Sequence, residues 1–349
     1  MKTPVNFLLV GTGGIAQSYA SAFETHPDAA LVAVADVRLN AAQAMATRFG
    51  CPAFTSLTDA LDATPAVNAV ILCTPPNTHE ELTLAALARG QHVLCEKPFT
   101  LTIESARRMA TEADRAGRLL TMASKFRYVA DISRARDLIE SGTIGEVILF
   151  DNAFTGRVDM SKRWNADPAV SGGGVLIDNG THSVDIMRYF LGPLAEVHAV
   201  EGKRVQGLPV EDTARLFVRS SAGVMGSVDL SWSLNKELDW YVNVYGSAGA
   251  VQVGWKQSRH KQAGGDWVVF GTGYDKVQAF RDQVTNFARA IRGEEPLRIT
   301  AEDAVASVDV IEAAYRSMHD AAWTGVQKAD APPLLPFPKS AVRREANHA

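Results

Sequence analysis

Lys97, within the tripeptide Glu96-Lys97-Pro98, has a residue type and position suited to acid–base chemistry. It follows the apolar, strand-like run 92–95, and the proline after it disfavours helical backbone at the lysine, so the chain leaves the strand extended. A partly desolvated amine there can hydrogen-bond a reacting hydroxyl and join proton transfer. Most lysines are solvated surface residues, so the tripeptide alone leaves both interpretations open.

Asp178 and His182 form a second candidate group. They are four positions apart in a helical pattern that follows the three glycines 172–174, so they share one helix face, and Asp185 falls near the same side. Together with Lys97 they offer a cation for a developing alkoxide, a base of suitable pKa and a carboxylate to orient or balance it. A lone Asp-x-x-x-His pair is more often a surface pair or a helix cap.

The same spacing suits a metal ion, but no third His, Cys or carboxylate stands at an obvious ligand spacing. We therefore predict no metal site.

A glycine-rich loop directly after the first strand-like run indicates a nucleotide site. The loop comprises Gly11, Thr12, Gly13, Gly14, Ile15 and Ala16. The glycines allow a tight turn and close backbone approach, and the helix that begins here offers amide donors to a pyrophosphate. The pattern gains weight from Asp36, which ends the second strand at the distance where a carboxylate accepts hydrogen bonds from the adenosine ribose.

Asp36 also favours NAD over NADP by about tenfold or more, because a carboxylate near the ribose 2′ position repels a phosphate. Arg38 can stack on adenine or offset a 2′-phosphate, so NADP stays possible. Thr74, Pro75 and Asn77 follow another strand at the edge where such sheets bind ligands, and with Glu96 they complete the predicted cofactor contacts. We expect His79, next along the chain, to cap the following helix.

Strand-like and helical patterns alternate in the first third of the chain, which predicts a parallel sheet covered by helices. The predicted strands are 5–10, 31–35, 69–73, 92–95 and 119–123, and the helices are 15–24, 41–49, 79–89 and 103–116.

After residue 125 the strands follow one another with short turns, which indicates an antiparallel sheet. The predicted strands are 146–154, 196–205, 213–219, 224–232, 240–245 and 250–253, with helices at 131–140, 175–190, 280–292 and 301–318. Thr102 and Thr300 are predicted helix caps, the second with Asp303 in capping-box position.

Composition excludes several classes of protein. The 349 residues suggest two domains, and a net charge of −4 without a long basic run argues against nucleic acid or anionic membrane partners. The first apolar run lacks a signal cleavage site and is too short to span a bilayer. Three cysteines without a CxxC pair argue against a disulfide framework, so we expect a cytoplasmic protein.

These motifs, in this order, resemble the Gfo/Idh/MocA family of glucose-fructose oxidoreductase and inositol dehydrogenase-like proteins. The matching segments are the G-x-G-x-x-A loop 11–16, Cys-Thr-Pro-Pro-Asn-Thr-His at 73–79, Glu-Lys-Pro at 96–98, and the glycines with Asp-x-x-x-His at 172–182. The resemblance implies an α/β protein: an NAD(P)-binding Rossmann domain at 1–124, a C-terminal α/β domain at 125–330 with a large, open, predominantly antiparallel sheet, and a tail at 331–349. It also implies dimers or tetramers formed through that sheet.

By the same resemblance Lys97, Asp178 and His182 stand at catalytic positions. The implied reaction moves a hydride between a secondary hydroxyl of a sugar, cyclitol or related polyol and the nicotinamide, with Lys97 polarising the hydroxyl and His182 as the base. Asp178 would bind a neighbouring hydroxyl or orient His182. Lys125, Arg127 and Trp164 are further predicted substrate contacts, beside the three catalytic residues.

Two alternatives remain open at this stage. One is an NAD-dependent glycosidase, in which the cofactor is reduced and reoxidised without leaving. The other is a non-enzymatic regulator of a sugar pathway on the same fold, against which the presence of Lys97, Asp178 and His182 argues.

Overall fold

The computed structural model describes residues 3–326, and the predicted tail at 331–349 lies outside them. Two sheets dominate the described residues. The first contains β1 Val5–Val10, β2 Ala29–Ala35, β3 Ala53–Phe54, β4 Ala69–Leu72, β5 His92–Glu96 and β6 Leu120–Ala123. The second contains β7 Val147–Thr155, β8 Leu194–Glu201, β9 Thr213–Ser220, β10 Met225–Ser231, β11 Trp240–Gly246, β12 Gly249–Gly254, β13 Ser258–Gln262, β14 Val268–Gly271 and β15 Thr324–Gly325.

The first sheet is parallel throughout, with the strand order β3-β2-β1-β4-β5-β6. Its helices are α1 Gly14–Phe23, α2 Leu39–Phe49, α3 Leu57–Ala63, α4 His79–Ala88 and α5 Ile103–Ala116. The central strand β4 is apolar and buried along its whole length because helices cover both faces of the sheet. The predicted alternation of strands and helices is confirmed, with β3 and α3 as additions that the sequence patterns did not reveal.

The second sheet has the order β14-β13-β12-β11-β7-β10-β9-β8-β15. Its pairs are antiparallel except for β7 and β10, which run parallel. Its helices are α6 Ala130–Glu140, α7 Pro168–Ser171, α8 Val175–Leu191, α9 Lys276–Ile291 and α10 Ala301–Asp320. The expectation of an α/β protein with a large, predominantly antiparallel second sheet is therefore confirmed.

Three strands of this sheet, β13, β14 and the two-residue β15, were missed. The segment Ser258–Gln262 reads Ser-Arg-His-Lys-Gln and carries no apolar alternation, because it lies near one end of the sheet. The predicted strand 196–205 was also too long. Beyond Glu201 the chain forms a loop in which the Asp212 carboxylate accepts hydrogen bonds from Val205 N at 2.7 Å and Gln206 N at 2.9 Å. A side chain thus takes the place of a strand partner.

The last helices return to the first sheet. Phe280 and Phe287 of α9 share a core with Phe7 of β1 and Tyr19 of α1. Thr300 forms the predicted capping box with Asp303 at the start of α10. Helix α9, which follows the second sheet in the chain, thus packs on elements from the beginning of the chain. The domain boundaries at 124/125 and 330/331 stay predictions.

The carboxyl ends of β1, β2, β4 and β5 meet at one edge of the parallel sheet. The first turns of α8 face the same edge, since Lys97 after β5 contacts Asp178 of α8. The predicted nucleotide loop and the predicted catalytic residues are therefore brought together by the fold.

Candidate active site

The glycine loop between β1 and α1 is shaped for close approach of a ligand. Gly11 has φ +86°, and a Cβ atom there would lie 2.8 Å from the carbonyl oxygen of Cys73, so only glycine fits between two adjacent strand ends. Cβ atoms on Gly13 or Gly14 would meet nothing within 4 Å. No side chain caps α1 at Gly13, so the first amides of the helix stay free to bind an anionic group.

Ile15 and Ala16, the last two residues of the predicted loop, are more buried than Gly13 and Gly14. Ile15 is half-buried, whereas Ala16 is fully buried and belongs to the core beneath the sheet. Ala16 therefore serves the close packing of α1 on the sheet.

Asp36 lies at the end of β2 and holds the glycine loop. Its Oδ2 accepts hydrogen bonds from the backbone N and the hydroxyl of Thr12, both at 2.8 Å, and its Oδ1 accepts from Arg38 N at 2.9 Å and Arg38 Nε at 3.2 Å. Burial opposes ionisation, but these donors outweigh it and lower the pKa of Asp36 to about 2. The Arg38 side chain is 70% exposed, so it can swing away and open an acceptor position for a ribose hydroxyl.

The loop after β4 carries three further predicted cofactor contacts. Thr74 and Pro75 are half-buried and Asn77 is exposed, in or beside the short 3-10 turn Pro76–Thr78. The Thr78 hydroxyl lies 2.8 Å both from the Thr74 hydroxyl and from the Pro75 carbonyl oxygen, which fixes the loop from within.

His79 does not cap α4, so that expectation was wrong. Its ring is completely buried, with Nε2 at 2.9 Å from the Thr74 carbonyl oxygen and Nδ1 at 3.0 Å from that of Pro98 and 3.2 Å from that of Phe99. The ring thus joins the loop after β4 to the loop that carries Lys97. An N-cap would require its side chain to reach α4 amides, whereas it is turned inward between two strand ends.

Glu96, the last residue of β5, lies beneath the site and not at its opening. It is 5% exposed; Oε1 accepts from the Tyr19 hydroxyl at 2.9 Å and Oε2 accepts from Lys97 N at 3.1 Å. Gln283 of α9 donates to Tyr19 at 2.8 Å. Burial raises the pKa of Glu96, although the positive charges of Lys97 and Lys125 lower it in part. Its carboxylate is thus an internal counter-charge to two lysines.

Lys97 is held by Asp178 of α8. Its Nζ donates to Asp178 Oδ1 at 2.6 Å and to the Asp178 carbonyl oxygen at 3.2 Å, and the two side chains are 14% and 17% exposed. An ammonium group has three N–H donors, so one is left for a ligand. The carboxylate thus orients Lys97 and does not orient His182, one of the two roles predicted for it.

His182 contacts Lys125. Lys125 Nζ lies 3.2 Å from His182 Nε2 and 4.9 Å from the centroid of the Phe126 ring. Burial lowers the pKa of His182 well below its ordinary value, and the charges of Lys125 and Lys97 lower it further, so the imidazole is neutral near pH 7. Burial, with the charge of Lys97, also lowers the pKa of Lys125, to about 8.

An aromatic wall extends from the His182 ring. Phe126 packs edge-on against His182 with ring centroids 5.1 Å apart, and it also contacts Phe154, Tyr274 and Trp255 at 4.8, 5.3 and 6.4 Å. Trp255 is 40% exposed, so the wall reaches solvent there. Wet aromatic surface beside polar groups is suited to a ring that has one apolar face.

Arg127 and Asp185 are not part of this opening. The Arg127 side chain is 1% exposed, its Nη2 lies 2.7 Å from Asp185 Oδ1, and its Nη1 lies 3.3 Å from Asp303 Oδ2. Arg188 joins the same cluster through Asp303. The prediction that Arg127 contacts the substrate was therefore wrong. The short turn Lys125–Tyr128 directs the Lys125 side chain toward the site and the Arg127 side chain into the core.

Trp164 is 42% exposed and begins the short turn Trp164–Ala166. The next helix, α7, lies against the Pro76–Thr78 turn, which brings this segment to the rim of the crevice.

No helix between residues 3 and 326 is long and apolar enough to cross a membrane. Within the same range, no group of three or more His, Cys, Asp and Glu side chains is arranged to hold a metal ion.

Comparison with protein families matches both parts of the chain. Residues 5–124 match the GFO_IDH_MocA model, an oxidoreductase family with an NAD-binding Rossmann fold. Residues 132–252 match the model of the GFO/IDH/MocA C-terminal domain.

Individual relatives match over nearly the whole chain. The chain is 30% identical to the rhizopine catabolism protein MocA of Rhizobium meliloti over 316 residues, which cover 88% of this chain and 92% of the relative. It is 26% identical to inositol 2-dehydrogenase of Rhizobium meliloti over 334 residues, which cover 90% and 97% of the two chains. The crystal structure of GenD2 from gentamicin A biosynthesis, in complex with NAD, superposes with a TM-score of 0.83 at 28% identity and covers 94% of this chain and 98% of GenD2.

Proposed function

The chain belongs to the Gfo/Idh/MocA oxidoreductase family, and we propose that it is an NAD-dependent dehydrogenase for a secondary hydroxyl of a sugar, cyclitol or related polyol. One observation carries the proposal: Lys97, Lys125 and His182 converge at the edge of the parallel sheet where the nucleotide loop opens. Relatives named inositol and glucoside dehydrogenases support the substrate class.

The residues at the sheet edge fit an NAD cofactor. The free amides at Gly13 and Gly14 would hold the pyrophosphate, and Asp36 would accept hydrogen bonds from the adenosine ribose. Thr74, Pro75 and Asn77 would line the nicotinamide half. Bound there, NAD supplies the hydride acceptor of the reaction.

Lys97 and His182 would act on the substrate hydroxyl. The third N–H of Lys97 points away from Asp178 and would donate to the hydroxyl oxygen, where negative charge develops as the proton leaves. A positive charge fixed by a carboxylate needs no reorganisation during the reaction. His182 is neutral near pH 7, and its Nε2 forms with Lys125 the pair that would take the hydroxyl proton.

The aromatic wall favours a cyclic substrate. A pyranose or cyclitol has C–H groups on one face, which would pack on the exposed Trp255 at the end of the wall while its hydroxyls meet the lysines. We include Lys125 and Trp164 among the substrate contacts, and we leave Arg127 out because its guanidinium is bound inside the core.

Oligomers and location complete the proposal. Val200, Phe217, Met225 and Tyr245 are exposed on one face of the second sheet, and we propose that two or four copies associate through it. Light scattering of the purified protein checks the oligomer. The free thiols of Cys51, Cys73 and Cys95 agree with the proposed cytoplasmic location.

A substrate screen tests the function. Inositols, aldoses, glycosides, sugar phosphates and nucleotide sugars are incubated with NAD and with NADP, and reduced cofactor is measured together with the carbonyl product. We expect NADH in equal amount to a ketone from at least one cyclic polyol. Cleavage of a glycoside without net NADH, with NAD retained through purification, would instead support the glycosidase alternative. Absence of both activities, with binding to a transcription factor, would support the regulator.

A further inference from the structure

The contact between Lys125 and His182 joins two nitrogen atoms. Lys125 Nζ and His182 Nε2 are 3.2 Å apart, and a contact of this length requires a proton between them. When Lys125 is an ammonium, its N–H donates to the lone pair of Nε2. The imidazole then cannot accept a substrate proton at that nitrogen.

The other ring nitrogen offers no alternative route. His182 Nδ1 is buried, and within residues 3–326 it has no hydrogen-bond partner. The ring packs edge-on against Phe126, with the centroids 5.1 Å apart. Proton exchange of His182 is therefore confined to Nε2, the atom that Lys125 contacts.

We propose that Lys125 and His182 form one acid–base unit, in which the amine of Lys125 is the final acceptor of the substrate hydroxyl proton. This inference rests on the proposed dehydrogenase function. The O–H bond of the substrate breaks and its proton passes to the lone pair of Nζ, while an N–H of the amine donates to His182 Nε2. The carbinol C–H electron pair leaves as hydride to NAD⁺, so a secondary alcohol, NAD⁺ and the neutral amine give a ketone, NADH and the ammonium.

The relative basicity of the two groups decides where the proton stays. His182 has a pKa well below its ordinary value, whereas the pKa of Lys125 is lowered only to about 8, so the amine is the stronger base. Charges on four elements face Lys125: Lys97 and Lys276 disfavour the ammonium, and Glu96 and Asp178 favour it. An amine with these neighbours loses its proton near neutral pH, as an acceptor must.

The sign of the pH dependence follows. Polyol oxidation needs the neutral amine, so its rate rises with pH through about 8 and levels above it. Ketone reduction needs the ammonium, so its rate falls over the same interval.

Lys125→Met and Lys276→Met separate this role from a structural one. Lys276 is exposed at the start of α9 and adds only a distant positive charge. We expect Lys125→Met to lose the pH-dependent limb and to lower kcat about a hundredfold, in line with loss of a general base. Lys276→Met should keep the limb and move it to higher pH. A limb that persists near pH 8 in Lys125→Met would overturn the proposal.

A measurement without cofactor or substrate provides the second test. In protein labelled with ¹³C-lysine, the Cε resonance that is absent from Lys125→Met reports the titration of that amine. We expect its midpoint near 8, shifted upward in Lys276→Met, and a midpoint at the ordinary lysine value of 10.5 would overturn the acid–base unit. If wild type oxidises no polyol, the proposed function fails, whereas this titration still decides whether the pair shares a proton.

Discussion

Lys97 and Asp178 meet directly although 81 positions separate them in the chain: the lysine Nζ donates to the carboxylate at 2.6 Å and to the carbonyl oxygen of the same residue at 3.2 Å. The pair joins the loop after β5 to α8 and therefore fixes the width of the crevice. The contact also leaves the Lys97 amine with one unused N–H donor, whose direction is set by the two N–H groups that bind Asp178.

Asp178→Asn tests the orienting role. The amide oxygen still accepts a hydrogen bond but carries no charge, so Lys97 is held less firmly and kcat should fall roughly tenfold, with NAD affinity unchanged. Asp178→Ala should lower kcat further. Steady-state kinetics with NAD titrated by fluorescence measures both quantities, and wild-type kcat in Asp178→Ala would contradict the role.

Asp36→Ser tests the choice of cofactor. We propose that Asp36, ionised because its pKa is lowered to about 2, faces the ribose 2′ position, so serine should lower the preference for NAD over NADP by about tenfold or more. Dissociation constants of both cofactors give the ratio. In Arg38→Ala we expect weaker NADP binding and little change for NAD. An unchanged ratio of the two dissociation constants in Asp36→Ser would show that the carboxylate does not select the cofactor.

Arg127→Met tests whether the buried arginine serves the fold. It leaves Asp185 buried without its partner and weakens the hold on Asp303, so the free energy of unfolding should fall by about 3–5 kcal/mol. Urea denaturation measures the change. The double variant Arg127→Met/Asp185→Leu should recover part of it, because no unpaired charge remains at that position. Unchanged stability together with a raised KM would return Arg127 to the substrate-binding role that the sequence predicted.

Trp255→Ala tests the aromatic wall. Loss of roughly 50 Å² of apolar contact with a sugar ring corresponds to about 1 kcal/mol of binding free energy. KM should therefore rise about five- to tenfold, with kcat little changed. Trp323→Ala is the matched control, since that indole is also exposed but packs on His198 in the second sheet. Equal effects of the two substitutions would show that the wall does not bind substrate.

Much of the fold was predictable because its signals are local. The glycine loop, the end of β2 at Asp36 and the capping box at Thr300 depend on residues within a few positions of one another. The polar strand β13 carries no such signal, because its order comes from pairing with β12 and β14. Periodicity cannot reveal a strand whose side chains are polar on both faces.

The contacts between the predicted site residues were not predictable from the sequence. Nothing in the spacing relates Lys125 to His182, which are 57 positions apart, or Tyr19 to Gln283, which are 264 apart. Lys125 and Arg127 are two positions apart and of like charge, yet one faces the crevice and the other the core. The backbone of the short turn decides this difference, and the sequence pattern did not indicate that turn.

Lys97→Met, compared with the exposed control Lys203→Met, tests whether Lys97 acts on the substrate hydroxyl. With a polyol that wild type oxidises, single-turnover formation of NADH is measured at saturating cofactor. We expect Lys97→Met to bind NAD as wild type does and to form NADH about a hundred- to a thousandfold more slowly, whereas Lys203→Met should match wild type. NADH formation at the wild-type rate in Lys97→Met would contradict it.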